Sequence, residues 1–84
     1  MGYPKIKNVK ALENYKLEIL FDNGVTKIYD FTPNFEYEVF IALKDYNLFK
    51  EVVVDPGGYG ISWNDDLDMS EYELWTKGIE IKKI

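Results

Sequence analysis

The amino-acid sequence predicts an α+β domain with a mainly antiparallel sheet of about five strands, in the order β-β-β-α-β-β-α. One principal helix packs on the sheet, and a short helix follows near the C-terminus. Three observations predict this class. Tyr15 to Phe21 and Val25 to Phe31 form two β-patterned arms around Asn23-Gly24. Apolar residues then recur at helical spacing from Phe35 to Tyr46. Short β-patterned segments return at Val52-Val53-Val54 and Ile61-Ser62-Trp63. Strands and helices in separate runs, rather than strict alternation, mark α+β over α/β.

Lys5 to Leu12 carries Ile6, Val9 and Leu12. Its alternation breaks between Ile6 and Val9, so it reads as a strand with a bulge. In Tyr15 to Phe21, residues Tyr15, Leu17, Ile19 and Phe21 alternate with Lys16, Glu18 and Leu20, the period of a half-buried strand. Asn23-Gly24 tolerates the positive φ of a tight hairpin turn, and Val25 to Phe31 returns as the second arm. A two-residue loop pairs Phe21 with Thr26 and Ile19 with Ile28, whereas a three-residue loop puts Val25, Tyr29 and Phe31 on that face. The sequence leaves both registers open.

Thr32-Pro33-Asn34 stops the strand, with Thr32 or Asn34 available to cap a helix and Pro33 suited to its first turn. Phe35, Val39, Ala42, Leu43 and Tyr46 fall at helical spacing. Glu36 and Glu38 at the start and Lys44 at the end suit the helix dipole. Leu48-Phe49 is an apolar plug. Val52-Val53-Val54 is apolar on both faces and therefore expected at the centre of the sheet. Pro56-Gly57-Gly58-Tyr59-Gly60 turns into the strand Ile61-Ser62-Trp63, and Asn64-Asp65-Asp66 turns again. Ser70 with Glu73 makes a capping box for a short helix anchored by Leu74 and Trp75, and Gly78 ends it. Ile79 to Ile84 either adds an edge strand or frays.

Eighty-four residues suit a single domain spanning 1–84, because folding units run to roughly 50–200 residues. With 46% hydrophobic and 17% aromatic residues, the chain can fill a core. The absence of cysteine points to a reducing compartment, so a cytoplasmic location is expected. No apolar run approaches the roughly 18 residues of a membrane span. The N-terminal residues resemble neither a signal peptide nor, with Ile6 where Ser or Thr is wanted, a myristoylation motif.

The sequence contains no His, Cys, Arg or Gln. A Ser-His-Asp triad, a thiolate nucleophile and the usual zinc ligand sets therefore cannot be assembled from this chain. Ten lysines face fifteen carboxylates, for a net charge of −5. Phosphate backbones and anionic lipid surfaces are repelled on average, so neither direct nucleic-acid binding nor membrane binding is expected.

The densest acidic stretch holds Asp65, Asp66, Asp68, Glu71 and Glu73. An EF-hand register from Asn64 requires glycine at Met69 and glutamate at Trp75, and one from Asp66 requires them at Glu71 and Lys77; both fail. Turn and helix-start acids are the plainer account. The glycine-rich segment from Pro56 lacks the Gly-Lys-Ser/Thr ending of a phosphate loop, so a hairpin turn explains it better. Asp22, Asp30 and Asp55 lie at strand ends where paired carboxylates could run acid–base chemistry, yet fifteen acids on a small surface make chance proximity common. Fourteen aromatics exceed what one small core obviously needs. Trp63, Phe40 and Phe49 are assigned to the interior. Tyr3, Tyr37, Tyr59 and Tyr72 lie off the main apolar stripe, as covers for core edges or as interface residues.

Phe21-Asp22-Asn23-Gly24 followed by Tyr29-Asp30-Phe31-Thr32-Pro33 resembles the hairpin of the small bacterial family filed as domain of unknown function 2442. Val39-Phe40 through Leu43-Lys44-Asp45, then Leu48-Phe49 and Val52-Val53-Val54-Asp55, continue the likeness. Ile61-Ser62-Trp63, Asp68 and Leu74-Trp75 are similar to its closing pattern. The likeness runs from about Pro4 to Trp75, and order and spacing carry it rather than any one motif. The chain departs after Trp63, where Asn64-Asp65-Asp66 stands in place of the Pro and Gly common in relatives. The resemblance implies a small α+β fold and no known activity or site residues. Some relatives carry a helix-turn-helix segment, and neighbouring short genes have prompted toxin–antitoxin conjectures.

These readings lead to an expectation of a small acidic protein-interaction module, antitoxin-like or regulatory, that binds a protein partner such as a neighbouring gene product. A basic partner is favoured, homo-oligomers are allowed, and no cofactor is expected. Asp65, Asp66, Asp68, Tyr59 and Tyr72 are the candidate partner-binding residues. The alternative is a carboxylate-based ligand- or metal-binding domain or enzyme.

Overall fold

A computed structural model describes residues 3–81. Strands β1 (Ile6–Leu12), β2 (Lys16–Phe21) and β3 (Thr26–Asp30) form an antiparallel meander. Two 3-10 segments, Thr32–Glu36 and Glu38–Lys44, lead to the single turn α1 (Tyr46–Phe49). Strands β4 (Val53–Val54), β5 (Gly60–Asn64) and β6 (Leu67–Ser70) follow, then helix α2 (Glu71–Lys77) and strand β7 (Ile79–Ile81). The α+β class holds and the pairing is antiparallel, but there are two sheets rather than one. Their orders are β1-β2-β3-β7 and β4-β5-β6.

The meander forms for the reasons its pattern implies. In β2 the odd residues Leu17, Ile19 and Phe21 are fully buried and the even ones are not. The register Leu17↔Tyr29 and Ile19↔Lys27 shows that the hairpin loop has three residues. The Phe21 amide donates to the Val25 carbonyl, Gly24 takes φ +88, and the Asn23 side chain accepts from the Val25 amide. The bulge in β1 falls between Ile6 and Asn8. It lets Ile6 and Val9, three residues apart, both meet the core.

The principal helix does not form. Tyr37 (φ −92, ψ 125) and Asp45 (φ −73, ψ 107) are extended and interrupt the run. Between them the repeat is three residues, not 3.6, so Phe40 and Leu43 turn inward, and Asn34 does the same in the 3-10 segment before Tyr37. Val39, assigned to the apolar stripe by a 3.6 period, is 56% exposed. Tyr37, Val39, Phe40 and Ile41 are aromatic or β-branched and lose rotamer freedom in an α-helix, so little opposes the tighter winding. Neither Thr32 nor Asn34 caps the segment. Asp30 does the local work instead, accepting from the Thr32 amide and hydroxyl.

Val52-Val53-Val54 is not central. Val52 reaches the core, Val53 faces solvent, and β4 is the two-residue edge of the smaller sheet. The segment has no room to lengthen, with α1 closing at Phe49 and Pro56 lacking an amide donor. Strand β6 adds to the elements expected from sequence, where Leu67-Asp68-Met69-Ser70 lies between a turn and a cap. Its alternation is nonetheless clean, with Leu67 and Met69 buried and Asp68 and Ser70 outside. The Ser70 hydroxyl caps α2 by accepting from the Glu73 amide at 3.2 Å, which is half of a capping box. Gly78 ends α2 in extended backbone, for reasons of space rather than φ. A Cβ there would stand 2.6 Å from the Leu74 carbonyl oxygen. Ile79–Ile81 is ordered as the edge strand on β3, and the rest of that predicted segment, 82–84, lies outside the described residues.

One core joins the two sheets. The Phe31 ring lies 5.3 Å from those of Phe40 and Trp63, 5.5 Å from Phe35 and 5.6 Å from Phe49, all edge-on. Such pairs add about 0.5–1.5 kcal/mol each beyond area burial. The indole of Trp63 donates to the Phe49 carbonyl at 2.8 Å, satisfying its buried N–H. The turn before β5 lies directly on β1. Gly58 takes φ +75, and a Cβ there would sit 2.5 Å from the Ile6 carbonyl oxygen, so only glycine lets the sheets approach this closely.

Candidate functional site

The extended residue Tyr37, the end of α2 and the edge strand β7 border a cleft of about 620 Å³ beside β3. Ile28 and Ile79, directly opposed in the β3–β7 ladder, form part of its wall with Pro33 and Tyr37. Tyr37 and Ile79 are 59% and 73% exposed. Carboxylates of Asp30, Glu36 and Glu73 line it, against the ammonium groups of Lys16 and Lys77.

A directed hydrogen-bond chain forms its floor. The Asn34 side-chain amide donates to the Tyr29 phenol oxygen at 2.8 Å and more weakly to the Phe31 carbonyl at 3.3 Å. The Tyr29 hydroxyl in turn donates to Glu73 Oε2 at 3.1 Å. Tyr29 and Asn34 are only 5% and 8% exposed. Strand β3 delivers Tyr29, the 3-10 turn folds Asn34 back under it, and the first turn of α2 brings Glu73 from forty-four residues away. Burial lifts the Tyr29 phenol. The Asn34 bond acts the other way, but the Glu73 and Asp30 charges add to the rise, and the pKa reaches about 12. At Asp30, partial burial raises the carboxyl pKa. The Thr32 hydroxyl and amide, helped by Lys16 across the ladder, outweigh this and hold it below the ordinary value.

The sequence-based site residues fall elsewhere. Asp65 and Asp66 form the exposed tip of the β5–β6 hairpin, where the Asn64 side chain accepts from the Asp66 amide at 2.9 Å. Asp68 faces solvent on β6. Tyr59 and Tyr72 lie at the opposite end of β5, roughly 17 Å away by strand rise. The backbone segments that carry those two tyrosines meet, because the Glu71 amide donates to the Tyr59 carbonyl at 3.0 Å. Around them the Lys5 ammonium lies 4.4 Å from the Tyr59 ring centre and 3.8 Å from Glu71, while Tyr72 meets Tyr3 edge-on at 4.9 Å. The strand-end acids do not converge either. Asp22 accepts from the Lys5 amide, Asp30 from Thr32, and Asp55 from the Ser62 hydroxyl at 2.7 Å. Among the described residues, no group of three or more carboxylates could hold a metal ion, and no helix is long and apolar enough to cross a membrane.

The residues missed by sequence reading are Tyr29, Asn34 and Glu73. Each had a local explanation, as a strand residue, a cap and a capping-box partner. The available signal was the polar tip of Tyr29, which a buried strand position must satisfy somewhere.

No curated protein and no solved structure matches the chain. The model of the family described as protein of unknown function (DUF2442) matches residues 6–80. That span contains the smaller sheet, every residue of the cleft floor and all of the larger sheet except Ile81 of β7, and the chain therefore belongs to this family.

Proposed function

We propose that the chain is a small acidic protein-interaction module whose docking face is the cleft between β3, α2 and β7. The observation that carries this reading is the pairing of exposed Tyr37 and Ile79 with a wall of three carboxylates. Large apolar side chains are enriched at protein interfaces, and charge beside them sets which partners approach. A net charge of −5, with Asp65, Asp66 and Asp68 on an outlying hairpin, favours a basic partner and speeds its encounter. The chemistry of the chain agrees, since it has no histidine, cysteine or arginine to act as nucleophile, base or phosphate clamp.

The product of a neighbouring gene is the first partner to test, in an antitoxin-like or regulatory role. The tagged protein is purified from its host at low salt, and any stoichiometric companion is then purified and its affinity measured directly. The expected result is binding that weakens as salt rises and falls about tenfold or more in Tyr37→Ala, as truncation of an interface aromatic commonly does. A pair indifferent to Tyr37→Ala, or a protein that elutes alone, would overturn the reading.

A further inference from the structure

We infer that the cleft recognises a cationic side chain, lysine or arginine, presented by the partner beside an apolar residue, with Glu73 as its anchor. This rests on the docking reading above and adds the chemistry of the contact.

The floor of the cleft is oriented. Donors run from Asn34 to Tyr29 to Glu73, and the first two are more than nine-tenths buried. A carboxylate has room for about four donors, and Tyr29 supplies one on a single oxygen. Lys77, one helical turn further along α2, does not close the remainder. Among the described residues the only ion pair within 4.0 Å is Lys5 with Glu71. Glu73 is thus held in place by a buried phenol and keeps most of its acceptor capacity toward the cleft.

The walls suit the rest of such a side chain. Ile28, Ile79 and Pro33 offer apolar surface to its methylenes, and the exposed Tyr37 ring offers a face to its charge. Asp30, Glu36 and Glu73 outnumber Lys16 and Lys77 in the lining by one charge, and Lys16 faces Asp30 across the ladder, so the end of the cleft at Glu73 favours a cation over an anion. Lysine and arginine share this chemistry. They differ in that a planar guanidinium can bridge both oxygens of one carboxylate, which an ammonium does less well.

The test uses the whole chain, isotope-labelled, titrated at low salt with three capped tetrapeptides. These are Ala-Leu-Arg-Ala, Ala-Leu-Lys-Ala and Ala-Leu-Glu-Ala. The arginine or lysine peptide is expected to move the amide resonances of Asn34, Glu73 and Ile79, and the glutamate peptide to leave them in place. Glu73→Gln keeps an acceptor for Tyr29, so the fold persists, and it should weaken binding about fivefold or more. Lys77→Ala should leave binding equal or tighter. Equal shifts with the glutamate peptide, an unaffected Glu73→Gln, or shifts confined to Asp65, Asp66 and Asp68 would overturn the inference. A companion protein that binds with Tyr37 dependence while the peptides fail would retain the docking reading and discard this one; failure of both discards both.

Discussion

Tyr29 shows what one side chain contributes when it is both core and polar. Its ring packs near Phe31 and its hydroxyl ties Asn34 to Glu73. The phenol pKa, pushed to about 12 from an ordinary 10, makes stability depend on alkali. Between these two values the unfolded chain releases the phenol proton and the folded chain keeps it. The folded state thus binds more protons, and stability is fully present below about pH 10 and falls as pH rises toward 12. A two-unit shift corresponds to a loss on the order of 2–3 kcal/mol. In Tyr29→Phe this contribution to the decline should vanish. Stability at neutral pH should drop by about 1–2 kcal/mol, because Asn34 and Glu73 lose a buried partner. Urea unfolding of both proteins at pH 7 and pH 11 checks it. An equally steep alkaline fall in the variant would show that Tyr29 is not the group responsible.

At the scale of elements, the segment from Thr32 to Phe49 separates local pattern from tertiary demand. Apolar spacing there fits a 3.6 period on paper, yet the core accepts a three-residue period and leaves Val39 outside. Leu43 is on both faces' lists, so only the pair discriminates. Leu43→Ala should cost about 2–5 kcal/mol through a buried cavity. Val39→Ala should cost within about 0.5 kcal/mol. Matching losses at both positions in thermal unfolding would restore the α-helix. The hairpin was legible because alternation and Asn23-Gly24 are local and mutually consistent; only its loop length needed the third dimension. The bulge in β1 was legible for the same reason. Strand β6 was not, because four residues between two turn signals carry too little pattern to stand out. The position of β4 depended on which neighbour paired with it, which no local spacing encodes.

For the whole molecule, the central question is whether two sheets mean two folding units. The Phe31 cluster spans them, and Gly58 lets the smaller sheet press on the backbone of β1. Unfolding should therefore be a single transition. Trp63 reports from β5 and Trp75 from α2, where it meets Phe21 of the larger sheet. Fluorescence of Trp63→Phe and Trp75→Phe variants, each retaining one indole, should each coincide with its own far-ultraviolet circular dichroism curve. Separate midpoints within either variant would divide the molecule. The candidate cleft is likewise a property of the whole. Tyr29 and Asn34 are five residues apart, but Glu73 joins them only when α2 docks. Composition exposes the missing histidine, cysteine and arginine and the run of acids at 65, 66 and 68, but a cleft assembled from β3, α2 and β7 has no counterpart in local spacing.

Lys27 ties β3 to the last turn of α2. Its ammonium sits 3.8 Å from the Trp75 ring centre and donates to the Trp75 carbonyl, and its stem lies against Gly78. An amine engaged on two sides by Trp75 is a poor nucleophile toward an acylating reagent until α2 lifts away from β3. Among ten lysines, Lys27 becomes a built-in clock whose labelling rate counts the openings of α2 from β3.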